Sequence, residues 1–260
     1  MTSSPAKPLR VLILGGTTEA NQLVALLAND PRFDAVLSYA GRTERPTPPP
    51  IPWRVGGFGG VDGLTKYLRD QNIARVVDAT HPFAAQMSAH AIAACAIASV
   101  PLLALERLPW PRMAGDRWIE VDDFVAAAEA LGASPRRVFL GIGRMQLAPF
   151  ASHPQHFYLV RLVDPPRAPL PLPGAELIVA RGPFDLAGDR VLLVNHRIDI
   201  VVARDAGGDG AFAKIEAARE LGLPVVMVRR PLIPARDKVE TVGEVLRWLG
   251  HDELPAERGV

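Results

Sequence analysis

The segment RVLILGGTTEA, residues 10–20, decides the fold of this chain. Its first five residues, RVLIL, are an arginine and four apolar residues and have the length of a strand, and the pair Gly15-Gly16 follows at once. Residues 18–28 then place their apolar side chains on one stripe of a helix, at positions Ala20, Leu23, Val24 and Leu27. A strand that runs through glycines directly into a helix predicts the first βα unit of a parallel sheet.

The same alternation continues along the chain. In the first half it predicts strands at 10–14, 35–40, 74–79, 102–105 and 118–121, and helices at 18–28, 61–70, 82–98 and 122–131. It restarts after residues 132–135, with strands at 137–141, 157–162, 176–180, 199–203 and 224–228 and helices at 183–196, 210–221 and 241–249. The sequence therefore predicts an α/β protein with two domains, residues 1–133 and 134–260, each around a mostly parallel sheet.

Composition and charge exclude several classes of protein. The 260 residues carry 29 basic and 28 acidic side chains, so the net charge of +1 provides no general attraction for nucleic acid or anionic membranes. Cys95 is the only cysteine, which excludes an internal disulfide and a cysteine-based zinc site and fits a reducing compartment. The uncharged stretch 82–105 contains polar residues and a proline, which argues against a transmembrane helix. We expect a cytoplasmic enzyme without a bound metal.

The residues from Gly15 to Glu19 are interpreted as a nucleotide-binding turn. Small residues there let the backbone approach a pyrophosphate, whose charge meets the free N–H groups at the start of the helix. The G-x-G-x-x-G pattern is incomplete, because Thr17 takes the second glycine position and Ala20 the third. Thr17 or Thr18 could donate a hydroxyl to the phosphate. The alternative is a tight turn with a threonine as the helix N-cap.

The second predicted strand is followed by Arg42 and Thr43. Sites that prefer NAD usually place an acidic residue near this strand end, whereas a 2′-phosphate favours arginine with hydroxyl donors. The sequence therefore predicts NADP at this position. The alternative is a solvated loop arginine.

A second candidate group lies where the predicted strand 74–79 ends. Carboxyl ends of parallel strands are the edge at which open α/β sheets bind ligands. Pro82 is predicted to be the first residue of the following helix, and His81 is a candidate ligand contact. The alternatives are that Asp78 or Thr80 caps the helix and that His81 is an ordinary loop histidine. The group consists of Asp78, Ala79, Thr80, His81 and Pro82.

In the second half, the stretch 204–210, RDAGGDG, precedes a helix that carries Lys214. The N–H groups of Gly207 and Gly208 could bind an anion, and Lys214 could face the same site. The alternative is a glycine-rich turn with a solvated lysine. His153 and His156 lack acidic partners and are separated by a proline, so they do not predict a metal site.

Together these segments resemble the precorrin-6A reductase family of cobalamin biosynthesis, over about residues 12–249. The resemblance is carried by GGTTEA at 15–20, the Arg42 loop, DATHPFA at 78–84, ERLPW at 106–110, RGPF at 181–184 and the glycine loop followed by KIEAA at 214–218. It implies two Rossmann-like domains with the active site in the cleft between them. It also implies NADPH and the reduction of one double bond, C18=C19, of a large polycarboxylate tetrapyrrole. We expect a monomer or a weak homodimer.

The resemblance also implies roles for individual residues. The cofactor contacts it implies are Gly15, Gly16, Thr17, Thr18, Glu19, Arg42, Thr43, Asp78, Ala79, Thr80, His81 and Pro82. The substrate contacts it implies are His81, Arg107, Arg181, Gly207, Gly208 and Lys214, with Lys214 as the candidate catalytic residue. A substrate carboxyl or a bound water is the alternative proton donor. Residues 204–206 are Arg-Asp-Ala where the family is expected to have a sequence closer to Lys-Asn/Asp-Ser, and the change removes a hydroxyl.

Two other functions fit part of the pattern. Another NADP-dependent reductase or epimerase would share the glycine turn, but none of the three tyrosines is followed four residues later by a lysine, as in short-chain reductases. A non-catalytic NADP-sensing protein would share the turn and Arg42, but it would have no need for the cationic residues of the second half.

Overall fold

The computed structural model describes residues 7–40, 48–172 and 174–250. Within them the chain forms two compact units: unit 1 comprises residues 7–107 and 232–250, and unit 2 comprises residues 108–231. Each unit is built around its own six-stranded sheet with helices packed on it, so the predicted α/β class is confirmed.

The helices and strands follow one another in the predicted alternation. In chain order they are β1 (Leu9–Leu14), α1 (Thr18–Leu27), β2 (Phe33–Tyr39), β3 (Trp53–Val55), α2 (Gly60–Asp70), β4 (Arg75–Asp78), α3 (Ala85–Ala98), β5 (Leu102–Leu105), β6 (Arg117–Val121), α4 (Phe124–Glu129), β7 (Arg137–Leu140), β8 (Phe157–Leu162), β9 (Glu176–Val179), α5 (Leu186–Asn195), β10 (Ile200–Arg204), α6 (Ala213–Glu220), β11 (Pro224–Val228), β12 (Lys238–Val239) and α7 (Val242–Gly250). Two short 3₁₀ helices, Arg144–Gln146 and Ala148–Ser152, follow β7.

Both sheets are parallel and have the same strand order. Unit 1 is arranged β3-β2-β1-β4-β5-β12, and unit 2 is arranged β9-β8-β7-β10-β11-β6. This is the order of a Rossmann fold, in which the direction of winding reverses next to the first strand. The reversal lies between β1 and β4 in unit 1 and between β7 and β10 in unit 2, and ligands bind at the carboxyl ends of the strands at such points.

The last strand of each predicted domain joins the sheet of the other, so the division of the chain differs from the predicted boundary at residues 133/134. β6 pairs with β11, and residues 108–133 therefore belong to unit 2. β12 pairs with β5, which places residues 232–250 in unit 1. Apolar periodicity indicates that a strand exists, but the sheet it joins depends on contacts with residues far away in sequence.

Strand β1 is buried on both faces, which explains its continuous apolar sequence. Val11 and Ile13 pack in the cluster that contains α1 and α7, whereas Leu12 and Leu14 pack in the cluster that contains α2 and α3. In unit 2, one face of the sheet packs against α5 and α6 in a cluster that includes Phe139. These layers hold the strand ends that carry the candidate site residues.

Several elements differ from the prediction, and α5 and α6 begin three residues later than predicted, at Leu186 and Ala213. α3 begins at Ala85, so Pro82 is not its first residue; residues 81–84 form a turn closed by a 2.7 Å hydrogen bond from Ala84 N to the oxygen of His81. β3 and β12 were not predicted, because strands of three and two residues at sheet edges give no measurable alternation. Among the described residues no helix has the length and apolar character needed to cross a bilayer.

Candidate functional site

The turn after β1 is anchored on one side and open on the other. Gly15 is buried, and its N–H donates to the backbone carbonyl oxygen of Ser38 near the end of β2, at 2.9 Å. Gly16 is exposed with φ +128°, and a Cβ placed there would have no neighbour within 4 Å. This φ favours glycine, and the open space leaves room for a ligand against the backbone.

Thr17 connects this turn to the loop after β4. It is the N-cap of α1, and its hydroxyl accepts from Ala20 N at 3.1 Å and donates to the oxygen of Ala79 at 2.9 Å. The Thr17 hydroxyl therefore donates its proton to the backbone oxygen of Ala79 and not to a phosphate. Thr18, the first residue of α1, is exposed.

Replacing Thr17 with valine is expected to lower the free energy of unfolding by about 1–3 kcal/mol. The buried oxygen of Ala79 loses its donor, and the N–H of Ala20 loses its cap. Urea denaturation of the variant measures the loss. Asp123→Ala is the matched control, because Asp123 caps α4 through a single hydrogen bond to Ala126 N in an exposed position. A Thr17→Val variant no less stable than Asp123→Ala would contradict the bridging role.

Arg107 lies in unit 1 beside the same turn. Its guanidinium is 3.5 Å from the carboxylate of Glu19, and both side chains are largely buried. Glu19 is in the first turn of α1, where an unpaired carboxylate would repel a pyrophosphate. The ion pair would offset such repulsion, and it places the predicted substrate contact Arg107 beside the turn after β1.

The loop after β4 is organised by a buried carboxylate. Asp78 is 2% exposed, and its Oδ1 accepts from the backbone N and the hydroxyl of Thr80, at 3.2 and 2.7 Å. His81 is partly buried, and its Nδ1 accepts from Phe83 N at 3.1 Å. Asp78 and Thr80 thus hold the loop shape, and in the neutral imidazole Nε2 of His81 carries the proton. The predicted contacts Arg42 and Thr43 lie outside the described residues.

Lys214 in unit 2 is buried, with 3% of its surface exposed. It lies in the first turn of α6, and its Nζ donates to the oxygen of Ala211. Nζ is also 5.0 Å from the ring centroid of Trp110, and the stem of the side chain packs on Gly141, where an added Cβ would lie 2.8 Å from Lys214 Cδ. The alternative of a solvated lysine does not describe this side chain.

The surroundings lower the pKa of Lys214 to about 7. Burial is the largest cause, because it disfavours the ammonium form, and the guanidinium of Arg161 is the next. The carboxylate of Asp189 opposes the shift, and Arg204 adds to it. An amine with a pKa near neutrality is suited to give or accept a proton during a reaction.

A buried ion pair that the sequence did not indicate joins Arg161 to Asp189. Their side chains are 7% and 5% exposed, and two hydrogen bonds join the guanidinium to the carboxylate. The guanidinium also lies over the ring of Phe184, 3.6 Å from its centroid. The signal available in the sequence was an arginine inside the apolar strand β8, FYLVRL.

The glycine loop after β10 is held by Trp110. Its indole N–H donates to the oxygen of Gly208 at 2.7 Å, and its backbone N donates to Asp205 Oδ1 at 3.0 Å. Gly207 and Gly208 both have positive φ, of +65° and +66°, as the turn requires. The structure therefore brings the loop and Lys214 together around one tryptophan.

Two further features lie at the carboxyl edge of the unit 2 sheet. Arg181 follows β9, is about half exposed and pairs with Asp164 at 3.0 Å, so it is more peripheral than Lys214. Gly141-Ile142-Gly143 follows β7 at the winding reversal, where the sequence analysis predicted only the end of a strand. The same pattern of a strand followed by glycines that marked Gly15 could have identified it.

The single cysteine and the pair His153 and His156 do not form a further reactive site among the described residues. Burial raises the pKa of the Cys95 thiol to about 12, which keeps it protonated and unreactive. The rings of His153 and His156 stack 6.3 Å apart, and His156 Nδ1 accepts from Arg136 N. In the part of the chain that the structure describes, no three His, Cys, Asp or Glu side chains are grouped to hold a metal ion.

Comparison with known proteins decides the family. Residues 10–250 match the family described as Precorrin-6x reductase CbiJ/CobK. The chain belongs to this family. It is 56% identical to a precorrin-6A reductase of Rhodobacter capsulatus, over 96% of this chain and 99% of that protein. It is 48% identical to a precorrin-6A reductase of a Sinorhizobium species, over 98% and 97% of the two chains.

A solved structure supports the same family. The protein described as CobK precorrin-6A reductase is 55% identical to this chain, with a TM-score of 0.89 and coverage of 97% of this chain and 100% of that one. The family and the two-sheet α/β fold predicted from the sequence are thus confirmed. Because the CbiJ/CobK family is one of reductases, the prediction of an oxidoreductase is confirmed as well.

Proposed function

We propose that this chain reduces the C18=C19 double bond of precorrin-6A with NADPH, giving the dihydro product precorrin-6B in cobalamin biosynthesis. The observation that carries the proposal is the open turn at Gly16, at the winding reversal of a Rossmann sheet in a CbiJ/CobK family member. Relatives named precorrin-6A reductase support the substrate class.

The residues around β1 fit a nicotinamide dinucleotide. Gly16 leaves space beside the backbone, and α1 presents the N-terminus of a ten-residue helix with its acidic residue paired to Arg107. Bound there, NADPH supplies a hydride from C4 of its nicotinamide. The backbone N–H groups of the turn bind the pyrophosphate, and the loop 78–82 borders the same edge.

Lys214 is the proposed proton donor of the reaction. Reduction of a carbon–carbon double bond adds one hydride and one proton, and the protonated amine of Lys214 gives up the proton and becomes neutral. Its pKa of about 7 makes both states accessible near neutral pH. The N–H groups of Gly207 and Gly208, together with Arg181, are proposed to bind carboxylates of the tetrapyrrole.

One assay separates this function from the two alternatives. The purified chain is mixed with NADPH, and the loss of reduced nicotinamide is followed with and without precorrin-6A. Oxidation only after addition of precorrin-6A is expected. Binding of NADPH with no oxidation would favour the sensing protein, and oxidation with unrelated substrates alone would favour another reductase.

Replacing Arg42 with alanine is expected to weaken NADPH binding by roughly 10- to 100-fold and to leave NADH binding nearly unchanged. Only NADPH has the 2′-phosphate, and a charge-assisted contact to it is worth about 1.5–3 kcal/mol. Dissociation constants measured for both cofactors test this. Equal losses for NADPH and NADH would remove Arg42 from the phosphate site.

The proposal extends to the cellular location, the oligomeric state and the binding partners of the chain. A cytoplasmic protein fits the single cysteine, and a monomer or weak homodimer is proposed. The near-neutral net charge of +1 is consistent with a small-molecule partner and no nucleic acid.

A further inference from the structure

Near the carboxyl ends of three neighbouring strands of unit 2, one row of positions lies on the face that packs against α5 and α6. Leu140 of β7 lies opposite Val160 of β8 and opposite Val202 of β10. The next row toward the carboxyl ends is therefore Arg161, Gly141 and Ala203. Side chains two residues apart in a strand share a face, and Phe139, Leu159 and Val201 belong to the cluster beneath α5 and α6.

The central position of this row has no side chain, and Lys214 occupies the space. A Cβ at Gly141 would lie 2.8 Å from Lys214 Cδ, 3.0 Å from its Cε and 3.3 Å from the ring of Phe139. Arg161 lies over the same Phe139 ring, 5.1 Å from its centroid. Since adjacent strands are about 4.8 Å apart, the stem of Lys214 and the side chain of Arg161 are neighbours in the interior.

Arg161 is held firmly in this place. Asp189, in the first turn of α5, accepts two hydrogen bonds from its guanidinium, and the ring of Phe184 covers it. A guanidinium remains charged at every pH at which the protein is folded. Among the described residues, the guanidinium groups of Arg161 and Arg204 lower the pKa of Lys214, and the carboxylate of Asp189 raises it.

We propose that Arg161 is a positioning residue of the reaction: clamped by Asp189, it fixes a permanent positive charge beside Lys214 and so sets the pH range in which Lys214 works. The inference rests on the proposed role of Lys214 as proton donor. Two cations in a low-dielectric interior repel each other, which favours the neutral amine. After burial, Arg161 is the largest cause that lowers the pKa of Lys214, whereas Asp189 raises it.

The test measures the protonation of Lys214 directly in the full chain without substrate. Lysines labelled with ¹³C at Cε are followed by NMR over pH, and the Lys214→Met spectrum identifies the Lys214 signal among those of Lys7, Lys66 and Lys238. Four forms are compared: wild type, Arg161→Gln, Asp189→Asn and the double variant. Each single variant leaves one buried charge without its partner, which destabilises the fold. The double variant replaces both charges with amides that can hydrogen-bond to each other, so its fold is better preserved.

The expected result is an order of titration midpoints for Lys214. Asp189→Asn should lie below the wild type and Arg161→Gln above it, each by about one pH unit or more, with the double variant between the wild type and Arg161→Gln. The signal of Lys66, in unit 1, should not move between the forms. A defect of packing alone would not shift the two single variants in opposite directions.

The pH profile of kcat/KM, measured with NADPH and precorrin-6A, then links the titration to the reaction, because this profile reports the pKa values of the enzyme before substrate binds. The limb assigned to Lys214 should follow the NMR midpoint in each form. Midpoints that are identical in all four forms overturn the inference. Midpoints that shift as expected while the kcat/KM profile stays fixed place the failure in the proposed role of Lys214 and not in the charge arrangement.

Discussion

Replacing Lys214 with methionine is expected to lower kcat by roughly 100- to 10,000-fold, the usual contribution of a general acid. Methionine is apolar and of similar length, so it can occupy the space between Trp110 and Gly141 without donating a proton. NADPH binding should be unchanged, since the proposed cofactor turn belongs to unit 1 and Lys214 to unit 2. Steady-state kinetics with precorrin-6A and direct NADPH titration measure the two effects.

The Lys214→Met variant should lose activity but gain stability at neutral pH. The pKa of Lys214 is about 7 in the folded chain and 10.5 in the ordinary lysine, so between these pH values the unfolded chain binds more protons than the folded one. Wild-type stability relative to Lys214→Met should therefore rise as pH increases from about 7 to 10.5, and at neutral pH the variant should be the more stable protein. Urea denaturation across this range tests the sign.

Lys66→Met is the matched control for both measurements, because this side chain is 75% exposed on α2 in the other unit. It should leave turnover unchanged. Wild-type kcat in Lys214→Met would remove Lys214 from catalysis. A raised KM with normal kcat would instead make Lys214 a binding residue. In the wild type, kcat/KM should fall as pH rises through about 7, because the ammonium is the donor.

Gly16→Val is expected to raise the dissociation constants of NADPH and NADH by about 100-fold or more. Valine is strained at φ +128°, at a cost of about 1–3 kcal/mol, and its branched side chain fills the open space in which the pyrophosphate is proposed to lie. The circular dichroism spectrum should remain that of a folded protein, since a Cβ at Gly16 has no neighbour within 4 Å.

Gly174→Val provides the control for backbone strain. Gly174 also has a positive φ, of +71°, and open space around its Cβ position, but it lies in unit 2. It should lose some stability and retain cofactor affinity. Normal NADPH binding by a folded Gly16→Val variant would show that the turn after β1 does not hold the cofactor.

The sequence by itself determined the local structure and the family. The ten strands that it predicted all form, because apolar runs of strand length between helical patterns report on the burial of each segment. The ordered set of segments from GGTTEA at 15–20 to KIEAA at 214–218, of which DATHPFA at 78–84 is the most specific, indicated the CbiJ/CobK family. These signals are contained in short stretches of neighbouring residues, and for that reason they can be read without a structure.

Only the tertiary structure decided how distant segments combine. It assigned β6 and β12 to the sheets of the opposite halves of the chain, placed Arg107 beside Glu19 and committed the Thr17 hydroxyl to Ala79. Above all, it buried Lys214 beside Arg161, a charged residue in an otherwise apolar strand, with Asp189 as its partner from a helix 28 residues further along. Strand pairing and the energetic cost of a buried charge depend on contacts between residues that are far apart in sequence. A local sequence pattern contains no information about those contacts.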